Sequence, residues 1–505
     1  MEEFLGKTGK WHWPVLIMNA YVAVPHAWFV MAPSFSEPNK LQYWCAPPEN
    51  VTLHQWRLDN QDLSLNCTAR YDGIVTKCSQ WEFDTSEVYR PLQMDFGIVC
   101  DKAVLTSIHR SLLMGGLMAG NFIFSHFSDW YGRKPLLGFC TFIQVLFNLL
   151  LLLAPTYGWI LAITVITACG YGGLQNIPFT LAMESVGQPQ RAFVSTCEEV
   201  GWIIGLIILP ICTYFVRDWR YLQLCIIAPV LLTVVNCFCD ESPRWLVARG
   251  KIPAARRLLE RIATKNGMED PVTEVNKVLK AHKQETVNGR ASVVDLFREW
   301  DIAKMAISFY IQLAMSVLLY FSLIFFIVDI GDNPHLNLFV SGLLELPLIP
   351  IVYFALKFLK RKTLYLWVHL PCFASTLTLA FLPPGFVWTQ VILASIGKWA
   401  SQVLFSLLVV HAAECFPTEV RSVAVGTSFT MSRIGAIISP FMAQLTTKCS
   451  SLLCAAVVVV AYLWTFVLPE TSTSSLPDTL HETRCKMQSA KLKSQNENPS
   501  NETAA

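Results

Sequence analysis

Twelve apolar runs, each near the length that spans a lipid bilayer, constrain this chain more than any other feature. A membrane core needs about 20 apolar residues of helix. Inside lipid the backbone can satisfy its own polar groups only as a helix or a closed barrel. The runs lie near 12–33, 105–127, 136–154, 159–181, 193–215, 221–239, 303–328, 336–358, 364–382, 386–411, 422–445 and 451–468, six on either side of a polar gap. Composition agrees: 53% of residues are hydrophobic and only 15% charged, against about 25% charged in soluble chains. The net charge of +2 offers no bulk attraction to nucleic acid. The expected fold class is an all-α membrane protein, with twelve transmembrane helices in two six-helix pseudo-repeat bundles. The first run begins at Trp11 without a cleavable-looking site, so it reads as a retained helix and not a signal peptide.

The basic residues of the short loops set the orientation. One side holds Arg133, Lys134, Arg191, Lys357, Lys360, Arg361, Lys362 and Arg421; the other holds only Arg217, Arg220 and Lys448. The positive-inside rule then puts both termini and segment 240–302 in the cytosol. The expected domains are a six-helix bundle over 1–239 that includes an extracellular loop at 34–104, a cytoplasmic linker over 240–302, a second bundle over 303–470, and a disordered tail over 471–505. Within the linker, Ala254, Leu258, Leu259 and Ile262 have helical spacing between basic flanks, which predicts a helix from Pro253 to Ile262 lying on the inner membrane surface.

The extracellular loop carries Cys45, Cys67, Cys78 and Cys100 with glycosylation sequons at Asn50 and Asn66. Four cysteines in an oxidising compartment predict two disulfides, with three pairings open. The Asn501 sequon falls in the cytosolic tail, beyond the reach of glycosylation. Cysteines within the spans read as small apolar packing groups.

An internal repeat runs through the charged positions. Glu184 and Arg191 follow span four, and Glu414 and Arg421 follow span ten, both pairs at the same offset (414 − 184 = 421 − 191 = 230). The first spans of the halves are offset by about 290, and the excess of about 60 is what the extracellular loop inserts; two parallel six-helix halves are the pattern of a rocking-bundle carrier with substrate between them near the midplane. Asp129, Arg133, Lys134, Glu184, Arg191, Glu414 and Arg421 then form a cytosolic gate, acids at the end of one helix pairing with bases at the start of the next. Plain positive-inside anchoring would account for Arg133, Lys360, Arg361 and Lys362 without a gate.

Three ionisable residues fall mid-span, where charge is costly and marks function by default: Glu345, Lys398 and Arg433. A guanidinium forks onto a carboxylate in two-point contact, so Arg433 favours a substrate carboxylate. Glu345 could hold an amine, or pair with Lys398 as a structural salt bridge. Tyr320 and Phe321 in span seven are candidate cavity walls whose ring faces could stack on a ligand. His26, Asn19, Gln175, Asn176 and Gln312 read first as helix-to-helix hydrogen-bonding groups. The segment Gly6-Lys7-Thr8 lacks the leading glycine of a phosphate loop, and no metal-ligand cluster or nucleophile–base–acid set stands out. The expectation is a non-enzymatic carrier without cofactor.

Four segments carry a family likeness: Cys78-Ser-Gln-Trp-Glu-Phe-Asp84 ending at Val99-Cys100; Arg217-Asp-Trp-Arg220; Glu241-Ser-Pro-Arg-Trp-Leu246; and Ala413-Glu-Cys-Phe-Pro-Thr-Glu-Val-Arg421. Together, over residues 12–471, they resemble the organic ion transporters of the solute carrier class, within the major facilitator superfamily. The resemblance implies a glycosylated outer loop, a central site lined by spans seven, eight, ten and eleven, and no enzymatic activity. The chain departs from the pattern at Ser125 and Trp130 in the first cytosolic motif, and in the acid missing from Lys357–Lys362. Arg433 stands where anion and carnitine-like carriers resemble it and where cation carriers often have Asp; Ile349, after Pro347, replaces a lysine of many anion carriers, and His411 a usual Tyr or Asn.

The function read from the sequence is a plasma-membrane secondary transporter for small organic ions, zwitterions or carboxylates foremost, working by alternating access. Its partners are the solute, the bilayer, and a coupling ion or exchanged anion, with no nucleic acid. The rivals are an organic cation uniporter with Glu345 as counter-ion, and a non-transporting surface receptor or scaffold built on the disulfide-bonded loop. A sugar carrier would place neutral polar residues at 345, 398 and 433.

Overall fold

A computed structural model describes residues 4–468 except 6–8, 48–55, 57–66, 72–73, 85–89, 188–189, 235–238, 269–271, 274, 278, 280–295, 299, 332, 348, 352–359, 384 and 417–420. Among the described residues a helix occupies each of the twelve predicted spans. They are α1 (His12–Met31, extended by Pro33–Ser36), α2 (Val104–Tyr131), α3 (Arg133–Leu152), α4 (Tyr157–Ser185), α5 (Arg191–Phe215) and α6 (Trp219–Leu232), then α7 (Trp300–Asp329), α8 (Pro334–Glu345), α9 (Arg361–Phe381), α10 (Val387–Cys415), α11 (Arg421–Ala443) and α12 (Thr447–Thr465). Nine of these stretches are long and apolar enough, among the described residues, to cross a membrane. The shorter α6 and the more polar α2 and α11 complete the set. Several helix starts are sealed by short polar side chains that accept an otherwise unpaired backbone donor. Thr156, Asp218, Asn333 and Thr446 each accept a backbone N–H from the first turn of α4, α6, α8 and α12.

The chain divides into two compact units. The first comprises Met1–Gln284, Phe325–Leu346 and Pro440–Gln444; the second comprises Glu285–Ile324, Pro347–Ser439 and Leu445–Ala505. In the first unit α1 packs along α5 and α2 along α4. The end of α7 and the start of α8 join that unit through Asn39 Nδ2 donating to Asp329 (2.7 Å) and Thr213 Oγ1 lying 2.9 Å from His335 Nδ1. In the second unit α9 packs on both α10 and α12.

The internal repeat is visible in how closely backbones approach. A Cβ added at Gly201 of α5 would lie 1.9 Å from the carbonyl oxygen of Ala20 on α1, and one at Gly435 of α11 would lie 1.9 Å from that of Ala314 on α7. Small residues at helix contacts of this kind let membrane helices pack where no hydrophobic force drives them together. First and fifth helices of each half meet at equivalent glycines.

The loop between α1 and α2 adds strand to the helical fold. Strands β1 (Tyr43–Cys45) and β4 (Trp81–Phe83) pair antiparallel, as do β2 (Thr68–Tyr71) and β3 (Ile74–Lys77). The disulfides are Cys45–Cys78 and Cys67–Cys100, with Cα separations of 5.6 and 5.7 Å, and Cys45, Trp56, Ala69 and Cys78 bury one another. Both sequon asparagines, Asn50 and Asn66, lie outside the described residues. The loop is anchored at Asp95, whose carboxylate accepts from Arg90 Nε (2.8 Å) and Trp219 Nε1 (2.9 Å) and is paired with Arg220. Burial pushes that carboxyl up, but the Trp219, Arg90 and Arg220 donors outweigh it and hold the group below its ordinary value.

The linker holds the predicted helix in a longer form. A short helix, Pro243–Ala248, precedes a longer one over Ile252–Lys265. The apolar stripe of the longer helix uses Ala255, not Ala254, with Leu258, Leu259 and Ile262. That stripe packs against Phe4, Leu5, Trp11 and Trp245 of the same chain.

Candidate functional site

Among the described residues of the second unit Lys398 is the most deeply buried lysine, arginine or carboxylate, with 0% of its surface exposed. It sits mid-way along α10 next to Gly397, whose lack of a side chain lets α10 approach Leu323 of α7 and Ser375 of α9; an added Cβ would meet each at 3.0 Å. The Lys398 ammonium lies 6.0 Å from the ring centroid of Tyr320 on α7. Tyr320 in turn meets Phe321 edge-on, centroids 5.3 Å apart, and both rings are buried. An ammonium near a ring face at this distance is drawn by the ring quadrupole, more strongly where water is excluded. Three of the five residues expected to touch substrate are therefore brought together. Arg433, half-buried on α11, belongs to the same unit, two residues before the close contact of Gly435 with α7. Glu345, buried at the end of α8, belongs to the first unit.

His411 acts as a structural brace. It is fully buried, its Nδ1 lies 2.9 Å from the Tyr365 hydroxyl, and its ring meets Phe309 edge-on. Asn19 donates to the Val194 carbonyl (3.1 Å), tying α1 to α5, and Asn176 bonds Ser125 between α4 and α2. His26 packs against Tyr171 and Trp202.

The charges at the other end of the helices form a network in each unit. Arg133, the first residue of α3, bonds Glu184 at the end of α4 (2.7 Å) and Asp129 at the end of α2 (2.9 Å). In the second unit Arg361, the first residue of α9, grips Glu414 near the end of α10 at two points, 3.1 and 2.6 Å. The sequence pairs each acid with the base seven residues on. In the structure Glu184 bonds Arg133, which opens α3, and Glu414 bonds Arg361, which opens α9. Arg191 and Arg421 begin α5 and α11, and Lys134 is exposed beside Arg133.

Sequence reasoning missed three members of the first network, Glu241, Arg244 and Trp245. Glu241 accepts from the backbone N–H groups of Arg133 (3.0 Å) and Lys134 (3.1 Å), a carboxylate on the N-terminus of α3. Gly132 makes room for it: its φ is +110°, and a Cβ there would meet Glu241 Oε2 at 2.6 Å. Arg244 donates from Nε to the Glu184 carbonyl (3.0 Å) and from a terminal nitrogen to that of Val186 (3.1 Å), and Trp245 donates to that of Asp129 (2.9 Å). The stretch Glu241–Leu246 carries the family likeness, but nothing in its spacing points to partners on α2, α3 and α4. Among the described residues no group of three or more His, Cys, Asp or Glu could hold a metal ion.

Membrane-length helices, repeated helix contacts and repeated charge networks define a polytopic membrane transporter. The model of the sugar (and other) transporter family matches residues 51–479, and the chain belongs to that family, within the major facilitator superfamily. Its fold is similar to that of the xylose transporter XylE from E. coli in an inward-open conformation, with TM-score 0.62 at 15% identity over 94% of this chain and 98% of that one. Among curated proteins it is 27% identical to a Drosophila melanogaster organic cation transporter protein over 92% of this chain and 84% of the relative. It is 28% identical to human organic cation/carnitine transporter 2 over 80% and 73%, and 28% identical to rat solute carrier family 22 member 2 over 77% and 70%. These relatives bear out the resemblance to organic ion carriers, and relatives and fold alike are those of transporters, not enzymes.

Proposed function

We propose that this transporter moves small organic ions carrying a carboxylate, carnitine-like zwitterions or organic anions, by alternating access across the plasma membrane, with both termini cytoplasmic. The observation that carries the reading is Lys398, a cation with no exposed surface beside the Tyr320 ring. Arg433 adds a second cation on a neighbouring helix of the same unit. The Arg433 fork suits a carboxylate on the solute. Tyr320 and Phe321 would take the apolar or cationic remainder. The Arg133–Glu184–Asp129 and Arg361–Glu414 networks are the proposed cytosolic gate, with Lys134, Arg191 and Arg421 at its rim.

Uptake in oocytes tests the reading with carnitine-like, anionic and cationic tracers, comparing wild type with Arg433→Ala at equal surface expression. Carboxylate uptake should fall by about tenfold or more, the worth of one lost charge-assisted contact. Carboxylate uptake that survives the change would sink the assignment.

A second reading, an organic cation carrier, is favoured by Glu345, a buried acid at the end of α8, and by names borne by the relatives. It predicts that cationic tracers are taken up, that Glu345→Gln abolishes their uptake and that Arg433→Ala does not.

A further inference from the structure

A second group of buried ionisable side chains lies where α1 ends and α2 and α4 begin. Glu37, directly after the α1 extension, has 0% of its surface exposed. Its Oε1 accepts from the Tyr157 hydroxyl of α4 (3.2 Å) and lies 2.9 Å from His109 Nδ1 of α2. The other nitrogen of His109 lies 2.9 Å from the Thr164 hydroxyl. Glu37 Oε2 has no hydrogen-bond partner. Next along α2, Arg110 is 3% exposed and donates to the main-chain carbonyls of Glu37 (2.9 Å) and Pro33 (3.4 Å), while its Nε is unbonded. Its guanidinium lies 5.5 Å from the Phe325 ring, and its charge acts on Asp329 at the end of α7. All of these residues belong to the first unit.

A buried carboxylate is costly unless its oxygens are bonded and its charge is balanced. Here one oxygen is bare and the compensating charge, Arg110, bonds the backbone and not the carboxylate. Histidine is the side chain whose charge changes near neutral pH. Neutral, its Nδ1–H donates to Glu37 while Nε2 accepts from Thr164. Protonated, it donates at both nitrogens and the Thr164 hydroxyl turns to accept. A proton can therefore sit either on the ring or on the bare oxygen, shared between the two groups.

We propose that the Glu37–His109 couple is a proton-binding site of this carrier, and that its occupancy decides whether Arg110 balances Glu37 or Asp329. The link to transport rests on the carrier reading above; the proton site does not. With the couple unprotonated, Glu37 and Arg110 cancel. With a proton bound, the couple is neutral, and the nearby charge left for Arg110 is Asp329, which Asn39 also bonds. Proton binding then draws the end of α7 towards α1 and α2. The other charged groups nearby are engaged elsewhere. Asp95, on the short helix Leu92–Phe96, is held by Arg90 and Arg220; the Lys40 ammonium reaches the Gly331 carbonyl (3.5 Å); and His335 stacks on Phe35 and bonds Thr213.

The test is pH-difference infrared spectroscopy of the full-length protein in lipid vesicles, which reads carboxyl and imidazole protonation without any substrate. Wild type should give a titrating band that is lost in Glu37→Gln and in His109→Gln. Tyr157→Phe, which keeps both titratable groups, should retain it and controls for packing damage. Uptake of a carnitine-like tracer should vary several-fold between about pH 5.5 and 8 in wild type, and by less than about twofold in the two variants. A wild-type difference spectrum that neither variant alters overturns the site, even where uptake is robust. A band lost as expected, in a protein that moves no tracer at any pH, upholds the proton site and defeats the carrier reading instead.

Discussion

At the scale of single residues, Lys398 and Asp95 make opposite demands on their surroundings. Lys398 is a buried cation beside the Tyr320 ring. Changing it to Gln removes the charge and keeps a polar side chain. We expect carboxylate uptake to fall by about tenfold with surface expression kept, since the lost attraction acts where water is excluded. Asp95 lies outside the spans and is held below its ordinary carboxylate value by three donors acting against burial. A group with a lowered folded pKa contributes stability above its unfolded value of 3.8, and loses it as pH falls through the folded value. Loop anchoring through Asp95 should therefore be flat from neutral down to about pH 5 and fail only in stronger acid. At neutral pH Asp95→Asn should weaken the anchor by roughly 1–3 kcal/mol, as a charge-assisted contact is lost, and the difference from wild type should vanish in strong acid; limited proteolysis of the loop measures it. The sequence exposed Lys398, Glu345 and Arg433 because ionisable residues in apolar runs are conspicuous. It hid the Glu37–His109 couple, since Glu37 sits just past a span and its partner lies 72 residues away.

At the scale of elements, lipid made the helices legible. A span must satisfy its own backbone, so length and hydropathy alone place it, and every predicted span holds a helix among the described residues. The linker was less legible. Spacing alone cannot distinguish an apolar stripe destined for lipid from one destined for Phe4, Leu5 and Trp11. Nor could four equivalent cysteines reveal their partners, or a polar loop its two short strand pairs. Helix packing yields a sharper prediction. On α11 a Cβ at Gly435 collides with the Ala314 carbonyl, whereas one at Gly426 meets nothing within 4 Å. Gly435→Ala should abolish surface expression, while Gly426→Ala should leave expression and melting temperature within experimental scatter. Equal damage from both would show that the close contact of α7 with α11 is not what the fold requires.

At the scale of the whole molecule, the repeat predicts matched behaviour from the two charge networks. Arg133 opens α3 and holds Glu184; Arg361 opens α9 and holds Glu414. Should these act as one gate, Glu184→Ala and Glu414→Ala will each slow uptake several-fold without loss of expression, and the double variant will be little slower than either single one. Additive losses would mark two independent anchors. The outer loop has a global property of another kind. Its cross-links, Cys45 to Cys78 and Cys67 to Cys100, interleave along the chain and are not nested. Cleaving the backbone once anywhere between Cys45 and Cys100 leaves at least one sulfur bridge joining the severed parts. A single protease cut should therefore pass unseen on a denaturing gel until reductant is added, when α1 would separate from the remaining helices.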